Sequence, residues 1–394
     1  MIEPNPDSVL GALRNIHTSN EPSSSPVVTP APTTASNRRE EAMRAFITSI
    51  SFNAIALDNP MSPESQALAW LVNDDPLQLH PLNTSMTNKH RLIQRYALTN
   101  FWFSTTDPST GWVSVDNWFN EDECTWFGIV CGTQDTNDHH NRALRSSPTN
   151  NTHTATLHRT AAVPKTEPSS SVRRLQGQDR VSAIIFDDNG LSGHIPPDIA
   201  LLEGLTNITL SENGLTGTLQ TSIANLVNLQ GLLITDTQLA GPLDKAIFSK
   251  LNNLVELDLH QNQLSGTLPT ELGTLTNLRF LTISSTELTG TIPAELGQLT
   301  SLTRLILRGS RFTGQIPTEL GSLTMLSNLA LSYNMLTGTV PTEFLLLVSL
   351  QKLFLQANML RGQVDFLCNS AIGPLGPFRV DLSEISCSCC TCCA

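Results

Sequence analysis

Hydrophobic and polar positions follow one repeating order between Val181 and Asp365. The clearest copy, Leu254 to Leu268, reads LVELDLHQNQLSGTL. The glycine of its L-x-G step recurs every 24 residues, with a single spacing of 25, at Gly193, Gly217, Gly241, Gly266, Gly290, Gly314, Gly338 and Gly362. Self-similarity at such a period is typical of a solenoid in which each unit stacks on its neighbour.

Each copy opens with two apolar positions that stand two residues apart. Residues at that spacing point to the same side of an extended strand, so the pattern predicts eight short strands. The predicted buried pairs are Ile184/Phe186, Ile208/Leu210, Leu232/Ile234, Leu257/Leu259, Leu281/Ile283, Leu305/Leu307, Leu329/Leu331 and Leu353/Leu355. No unit can cover its apolar side alone, whereas a stack buries each Leu or Ile side chain with a gain of about 1.5–3 kcal/mol.

A polar residue follows each strand. It is an asparagine in five copies, at Asn189, Asn213, Asn262, Asn334 and Asn358. A buried amide there can bond backbone groups of the adjacent bend. Thr237, Thr286 and Ser310 occupy the position in the other copies, where we expect a thinner hydrogen-bond ladder.

Beyond this bend, several copies read L-x-G-x-[IL]-P, as in Leu191 to Pro196 and Leu264 to Pro269. With these motifs the chain resembles the plant-type leucine-rich-repeat family, including its receptor-like and polygalacturonase-inhibitor-like members. The resemblance implies an α/β fold, a right-handed and curved horseshoe solenoid with a helical N-terminal cap and a cysteine-rich C-terminal segment. In that family the strands line the concave side, which is the usual ligand face.

The remaining segments differ in composition. Residues 1–61 begin rich in Pro, Ser and Thr, which predicts disorder or a linker. Residues 62–131 are predicted to form the N-terminal cap, with one helix that starts at Ser62-Pro63 and ends before Asp74 to Pro76, and a second over Lys89 to Ser104. Residues 132–180 form a polar insertion, 181–365 the eight repeats, and 366–394 a cysteine-rich tail.

Cysteines flank the predicted solenoid on both sides. The stretch CTWFGIVC from Cys124 to Cys131 resembles the motif that closes the cap in plant-type repeat proteins, which implies a disulfide between these two residues; free or metal-binding thiols are the alternative. Cys368 is a natural partner for a cysteine of the terminal run ISCSCCTCCA, such as Cys387, and this run also resembles tails of diatom-type repeat proteins. Soft-metal binding is the alternative for that tail. His139 and His140 could bind a metal, although a solvated loop is the preferred interpretation, and we predict neither a metal nor a cofactor.

Charge and hydropathy narrow the possible partners and cellular locations of the protein. The net charge of −12 does not suggest a nucleic-acid partner, and no apolar run is long enough for a membrane span. The N-terminal residues lack the basic and apolar regions of a conventional secretory signal. The cysteine pattern nevertheless favours an extracellular or cell-surface location, where the sequons at Asn83, Asn150 and Asn207 would be glycosylation candidates.

Outward strand positions carry acidic residues in repeats one to four and basic residues in repeats six to eight. We predict that they bind a peptide, protein or glycan; ordinary solvated polar residues are the alternative. The predicted ligand-binding residues are Glu256, Asp258, His260, Phe280, Arg304, Arg308 and Tyr333.

Three other functions are alternatives to this recognition module, which we expect to act in cell-surface or extracellular signalling. Inhibition of a secreted hydrolase is the main alternative. Asp258, His260 and Ser284 mimic an acid, a base and a nucleophile, but the sequence shows no nucleophile elbow or oxyanion donors, so no enzyme is predicted. A partial threonine column could adsorb to ice or a polysaccharide, although it also suits a second short strand; it comprises Thr218, Thr267, Thr291 and Thr339.

Overall fold

A computed structural model describes residues 34–83, 85–132, 180–367, 378–379 and 385–386. The chain divides into two compact units, residues 1–40 and 41–394, and only the start of one helix is described in the first unit. The predicted calls on Asn150, His139, His140, Cys368 and Cys387 lie outside the described residues. Among the helices that are described, none is long and apolar enough to cross a membrane.

Helices precede the repeats. They are α1 (Thr34–Ile50), α2 (Pro63–Asn73) and α3 (Met86–Thr105), with a 3-10 turn at Ala54–Asp58 and another at Glu123–Thr125. The predicted start of α2 is confirmed, since the Ser62 hydroxyl accepts a hydrogen bond from the Ser65 amide at 3.1 Å and a proline follows the cap. Helix α3 begins three residues before the predicted Lys89.

Helix α1 differs from the expectation of a linker or disorder before residue 62. Met43 and Ile47, four residues apart, are fully buried, and Phe46 and Ile50 pack against the same core. A short apolar stripe therefore orders this segment, although the residues before it are poor in apolar side chains. The Pro, Ser and Thr content that suggested disorder belongs to the preceding residues.

Twenty strands are described, most of them three residues long. In chain order they are β1 (Ile129–Cys131), β2 (Val181–Ile185), β3 (Ser192–His194), β4 (Asn207–Thr209), β5 (Gly214–Thr216), β6 (Gly231–Leu233), β7 (Ala240–Pro242), β8 (Glu256–Asp258), β9 (Gln263–Ser265), β10 (Phe280–Thr282), β11 (Thr289–Thr291), β12 (Arg304–Ile306), β13 (Arg311–Gln315), β14 (Asn328–Ala330), β15 (Met335–Gly338), β16 (Lys352–Phe354), β17 (Met359–Leu360), β18 (Gly362–Gln363), β19 (Phe378–Arg379) and β20 (Ile385–Ser386).

Ten of these strands form one long sheet in the order β1-β2-β4-β6-β8-β10-β12-β14-β16-β19. All neighbours are parallel except β1 and β2, and equivalent residues pair across repeats, as Leu257 does with Leu281. Every residue of the eight predicted buried pairs is at most 1% exposed, so the predicted strands and core are confirmed. The fold is an α/β leucine-rich-repeat solenoid.

Short helical turns and a second set of strands complete each repeat. The turns lie at Pro197–Leu201, Thr221–Asn225, Lys245–Phe248, Thr270–Thr274, Ala294–Gln298, Thr318–Ser322, Thr342–Leu346 and Asp365–Leu367. A four-stranded sheet runs in the order β11-β13-β15-β17, and β3 pairs with β5, β7 with β9 and β18 with β20. The exposed threonines after the L-x-G glycine border this second layer. The Thr267 methyl lies so close to Gly290 that a Cβ added there would be 2.8 Å from it.

The asparagines at this position bridge successive repeats. The Asn213 amide donates to the carbonyls of Phe186 at 2.7 Å and Leu210 at 3.1 Å, and its oxygen accepts from the Leu191 amide at 3.0 Å. Asn262, Asn334 and Asn358 also bond carbonyls of their own and the preceding repeat. At the threonine and serine positions, the Thr286 and Ser310 hydroxyls bond each other at 2.9 Å.

The cap is continuous with the first repeat. Strand β1 pairs antiparallel with β2, and Cys124 and Cys131 form the predicted disulfide. Phe186 of the first repeat packs 5.9 Å from Phe101 and 4.8 Å from Trp112, measured between ring centroids. The three cap tryptophans predicted as core, Trp112, Trp118 and Trp126, are all buried. The aromatic cluster therefore covers the first unit of the stack.

Candidate ligand-binding face

The outward positions of the long sheet, together with the bend after each strand, form the surface that we call the concave face. Each strand places its first and third residues outward, and the bend adds two further columns. Glu256, Phe280 and Arg304 stand in register on β8, β10 and β12. Side chains at these three positions are half-buried, whereas Arg308 and Tyr333 are exposed. The predicted site residues thus share one face.

The bend has a left-handed backbone at the residue before each asparagine position. The angle φ there lies between +49° and +67° in all eight repeats, and seven of the eight residues are not glycine. This conformation carries Asp236 and Tyr333 along the edge of the concave face. Since L-residues adopt it rarely, its recurrence shows that the bend imposes it.

An acidic pair holds His260. Its Nδ1 lies 2.7 Å from Asp258 Oδ1, and its Nε2 lies 3.2 Å from Asp236 Oδ2 in the preceding repeat. The amide of Gln261 donates to the other oxygen of Asp236. Burial lowers the pKa of His260, but the hydrogen bonds and charges of Asp258 and Asp236 outweigh it, so the pKa is raised overall. The two carboxylates therefore favour the protonated form of the ring.

This geometry is unsuited to the acid, base and nucleophile arrangement that Asp258, His260 and Ser284 suggested. A general base needs a free ring nitrogen directed at the nucleophile. Here carboxylates engage both nitrogens of His260. Neither ring nitrogen is therefore directed at Ser284 as a free base.

Glu256 and Arg304 face each other across Phe280. The pKa of Glu256 is raised, mainly by burial and also by the charge of Asp258, while Arg304 opposes the shift. The Arg304 guanidinium carbon lies 5.3 Å from the centroid of the Phe280 ring. Such a cation–π contact is worth about 0.5–1 kcal/mol at an exposed site, and it fixes the arginine over the face.

Asp236, which contacts His260, was not among the residues predicted for the site. Its role depends on the left-handed bend, which turns it toward a histidine 24 residues later in the chain. The sequence did contain a signal for the position of Asp236 on this face, because Asp236 and the predicted Tyr333 occupy equivalent positions of their repeats.

Two predicted glycosylation candidates are described. Asn83 is exposed in the loop between α2 and α3. Asn207 lies on β4 with a half-buried side chain, and its amide nitrogen lies 3.0 Å from the position of a Cβ on Gly231. A glycan on Asn207 would therefore occupy the acidic end of the concave face.

Comparison with known proteins agrees with this architecture. The Leucine Rich Repeat family model matches residues 253–275, 277–299 and 301–323. No curated protein matches the chain. Many solved structures do, and one is the leucine-rich-repeat ectodomain of the plant membrane receptor kinase GASSHO1/SCHENGEN3 from Arabidopsis thaliana in complex with CASPARIAN STRIP INTEGRITY FACTOR 2. It is 29% identical, with a TM-score of 0.53 over 67% of this chain and 27% of that chain.

Two further structures share the fold. The PEPR1–AtPEP1 complex is 25% identical, with a TM-score of 0.52 over 68% of this chain and 32% of that chain. The Arabidopsis receptor kinase HAESA, in complex with the peptide hormone IDA and the co-receptor SERK1, is 24% identical, with a TM-score of 0.52 over 76% and 46%. The chain spans less than half the length of each of these three proteins.

The repeats and the stacked sheet define a leucine-rich-repeat protein. Its fold is similar to that of the ectodomain of a plant membrane receptor kinase.

Proposed function

We propose that this chain is a non-catalytic recognition module that binds a peptide or protein segment on its concave face. The observation that carries the proposal is the division of charge across one continuous surface. Asp236, Glu256 and Asp258 stand on the third and fourth repeats, and Arg304 and Arg308 stand on the sixth. A face with separated charges of both signs orients a partner and favours one register.

Two further observations support the proposal. The carboxylates around His260 remove the most plausible general base of the face. One solved structure with the same fold is the ectodomain of a plant membrane receptor kinase in complex with CASPARIAN STRIP INTEGRITY FACTOR 2. For this chain, a peptide or protein ligand is therefore the first to seek, ahead of a glycan.

We also propose a cell-surface or extracellular setting. The Cys124–Cys131 disulfide supports it, because disulfides persist mainly in oxidising compartments. Mass spectrometry of the native protein under non-reducing conditions tests this point. We expect an oxidised Cys124–Cys131 pair and a glycan on Asn83, Asn150 or Asn207. Eight free thiols and bare asparagines would contradict the proposed setting.

The binding function is tested with two matched double variants of the full chain. Glu256→Gln with Arg308→Gln changes the concave face, while Glu287→Gln with Arg311→Gln makes the same chemical changes at exposed positions outside it. Both pairs leave the net charge unchanged. Extracellular peptides and proteins from the source are captured on each form and quantified.

We expect ligands that bind the wild type and the outer variant at least tenfold better than the concave-face variant. Equal capture by all three forms would overturn the proposal. Capture of a secreted hydrolase whose activity falls on binding would instead assign inhibition, the main alternative.

A further inference from the structure

The first outward column of the concave face changes its chemistry between the third and fourth repeats. Its members pair in register from strand to strand, and from the first repeat to the eighth they are Ala183, Asn207, Gly231, Glu256, Phe280, Arg304, Asn328 and Lys352. The first three are small and uncharged, whereas four of the last five are charged or aromatic. Asn207 is therefore the largest side chain of this column in the first three repeats.

The side chain of Asn207 lies against a glycine. A Cβ on Gly231 would be 3.0 Å from the amide nitrogen of Asn207, so a larger residue at this position of β6 would press on the amide. On the opposite side, its neighbour in register is Ala183. The second outward column of these repeats, which is Ile185, Thr209 and Leu233, carries no charge. The amide is therefore surrounded by small or neutral residues on all three strands.

Asn207 also differs in its hydrogen bonding from other asparagines of the repeats. The side-chain amides of Asn228, Asn253 and Asn277 donate to carbonyls of the preceding repeat at 3.0, 2.9 and 2.8 Å. Within the described part of the chain, the half-buried side chain of Asn207 makes no hydrogen bond. A substituent on its amide nitrogen therefore breaks no bond of the described fold.

The sequence at this position is that of a glycosylation acceptor. Asn207, Ile208 and Thr209 form the one N-x-[ST] sequon between residues 181 and 365. Strand β4, which carries it, lies two strands from β8 and Glu256, a separation of about 9.6 Å. The sequon thus stands in the small and neutral part of the face, outside the set of residues predicted to bind a ligand.

We propose that Asn207 carries an N-linked oligosaccharide, which covers the first three repeats of the concave face and confines the ligand to the repeats from the fourth onward. An N-linked oligosaccharide is bulky and hydrophilic, so it excludes a partner from the strands beneath it. The inference rests on the proposed binding function and on the proposed extracellular setting. It adds which part of the face the ligand uses.

The attachment is a group transfer made by a transferase of the host, and this chain supplies only the acceptor. The donor is an oligosaccharide joined through pyrophosphate to a polyprenyl lipid. The amide nitrogen of Asn207 forms a bond to the anomeric carbon of the first sugar and loses one proton. The bond between that carbon and the pyrophosphate oxygen breaks, and the lipid pyrophosphate leaves.

Mass spectrometry of peptides from the full chain, isolated from its source, tests for the oligosaccharide. We expect most copies of the Asn207 peptide to carry a glycan. The variant Thr209→Val, expressed in the same host, keeps the asparagine but removes the sequon and should carry none there. A bare Asn207 beside a glycosylated Asn83 in one sample would overturn the inference and leave the extracellular setting intact. Bare asparagines at all three sequons of the chain would also overturn it.

A displaced oligosaccharide tests which part of the face the ligand uses. Ala330→Thr creates a sequon at Asn328, which lies between Arg304 and Lys352 in the same column, and Ala330→Val is its control of equal size without a sequon. Ligands captured by the wild type are compared on these two variants and on Asn207→Gln. We expect Asn207→Gln to bind within twofold of the wild type, and glycosylated Ala330→Thr to bind at least tenfold less than Ala330→Val.

The outcomes separate the two levels of inference. Weaker binding by Asn207→Gln, or equal binding by glycosylated Ala330→Thr and Ala330→Val, would overturn the division of the face while leaving a ligand-binding module. If no form of the chain captured a ligand, the proposed function and the division would both fail, whereas the glycan on Asn207 would still be decided by the mass spectrum.

Discussion

Tyr96 donates its hydroxyl to a carboxylate oxygen of Asp198 at 2.9 Å, and this bond joins helix α3 to the first repeat. Both residues are fully buried. Asp198 also accepts from the Ser51 hydroxyl at 2.7 Å, the Phe52 amide at 2.6 Å and the Asn100 amide at 3.2 Å. One carboxylate therefore accepts hydrogen bonds from the segment directly after α1 and from α3.

Replacement of Asp198 should loosen the cap from the repeats. We expect Asp198→Ala to lower the free energy of unfolding by about 2–4 kcal/mol, because it leaves several buried donors without an acceptor, and Tyr96→Phe to lower it by about 0.5–1.5 kcal/mol. Urea unfolding measures both. Glu203→Gln, an exposed change in the same repeat, is the control and should lie within about 0.5 kcal/mol of the wild type. A loss for Asp198→Ala no larger than for the control would contradict this role.

Tyr96 also predicts loss of stability in alkali. Burial, with the nearby charge of Asp198, raises its pKa well above the ordinary value near 10. The neutral phenol is thus favoured in the folded state, and its contribution is complete below about pH 10 and falls as the pH rises beyond the unfolded pKa. Unfolding measured from pH 8 to 12 should show a smaller alkaline loss in Tyr96→Phe than in the wild type. Parallel curves would disprove the coupling.

His260 predicts a second pH dependence, at lower pH. Its pKa is raised in the folded state because the hydrogen bonds and charges of Asp258 and Asp236 outweigh burial. The imidazolium therefore stabilises the fold fully below about pH 6.5 and loses this contribution as the pH rises through the higher folded pKa. NMR titration should place the His260 ring above the unperturbed value, with His260→Gln identifying its resonance. Titration at or below about 6.5 would show that the two carboxylates do not hold the cation.

Two glycines with positive φ should differ in their tolerance of a side chain. At Gly290 φ is +78°, and a Cβ would lie 2.8 Å from the Thr267 methyl, whereas at Gly309 φ is +67° and the nearest atom is 3.4 Å away. We expect Gly290→Ala to cost about 2–3 kcal/mol and Gly309→Ala about 1 kcal/mol. Adding Thr267→Ser, which removes the methyl, should restore part of the loss at Gly290. Equal costs in thermal unfolding, or no restoration, would contradict steric contact as the cause.

The asparagine ladder predicts a large effect at one buried amide. Asn262 donates to the carbonyls of Ile234 at 2.7 Å and Leu259 at 3.0 Å. Asn262→Ala should cost about 2–3 kcal/mol, since buried carbonyls lose their donor. Exposed Asn253 donates to the Val227 carbonyl at 2.9 Å, and Asn253→Ala should cost less than about 1 kcal/mol. Similar losses in urea unfolding would show that burial does not set the cost.

The sequence predicted the repeat strands and the helices α2 and α3, because each depends on residues close together in the chain or on a fixed period. The cap disulfide was implied by the resemblance of the stretch from Cys124 to Cys131 to the motif that closes the cap in plant-type repeat proteins. Helix α1 was missed, since its apolar stripe is short and follows a segment rich in Pro, Ser and Thr. The Asp198 cluster was missed for another reason. Its donors, Ser51, Tyr96 and Asn100, come from segments about 100 to 150 residues away in sequence, and no local pattern relates them.

The sequence predicted which residues share the candidate face, but not which of them contact each other. Columns of the repeat placed Glu256, Asp258, His260 and Arg304 on one face. The contact between His260 and Asp236 could not be read, because it requires a left-handed residue at the bend that only the backbone reveals.

The antiparallel strand β1 also covers the edge of the long sheet at the first repeat. Every other pairing in the long sheet is parallel and repeats in register, so β2 would otherwise present an edge that a second molecule could extend. Because β1 occupies that edge in the opposite sense, the hydrogen-bonding pattern it presents differs from the one that a repeat strand would match. The cap thus blocks the addition of another strand at the edge of the first repeat. This protects a protein made of similar repeats against association with a second molecule through that edge.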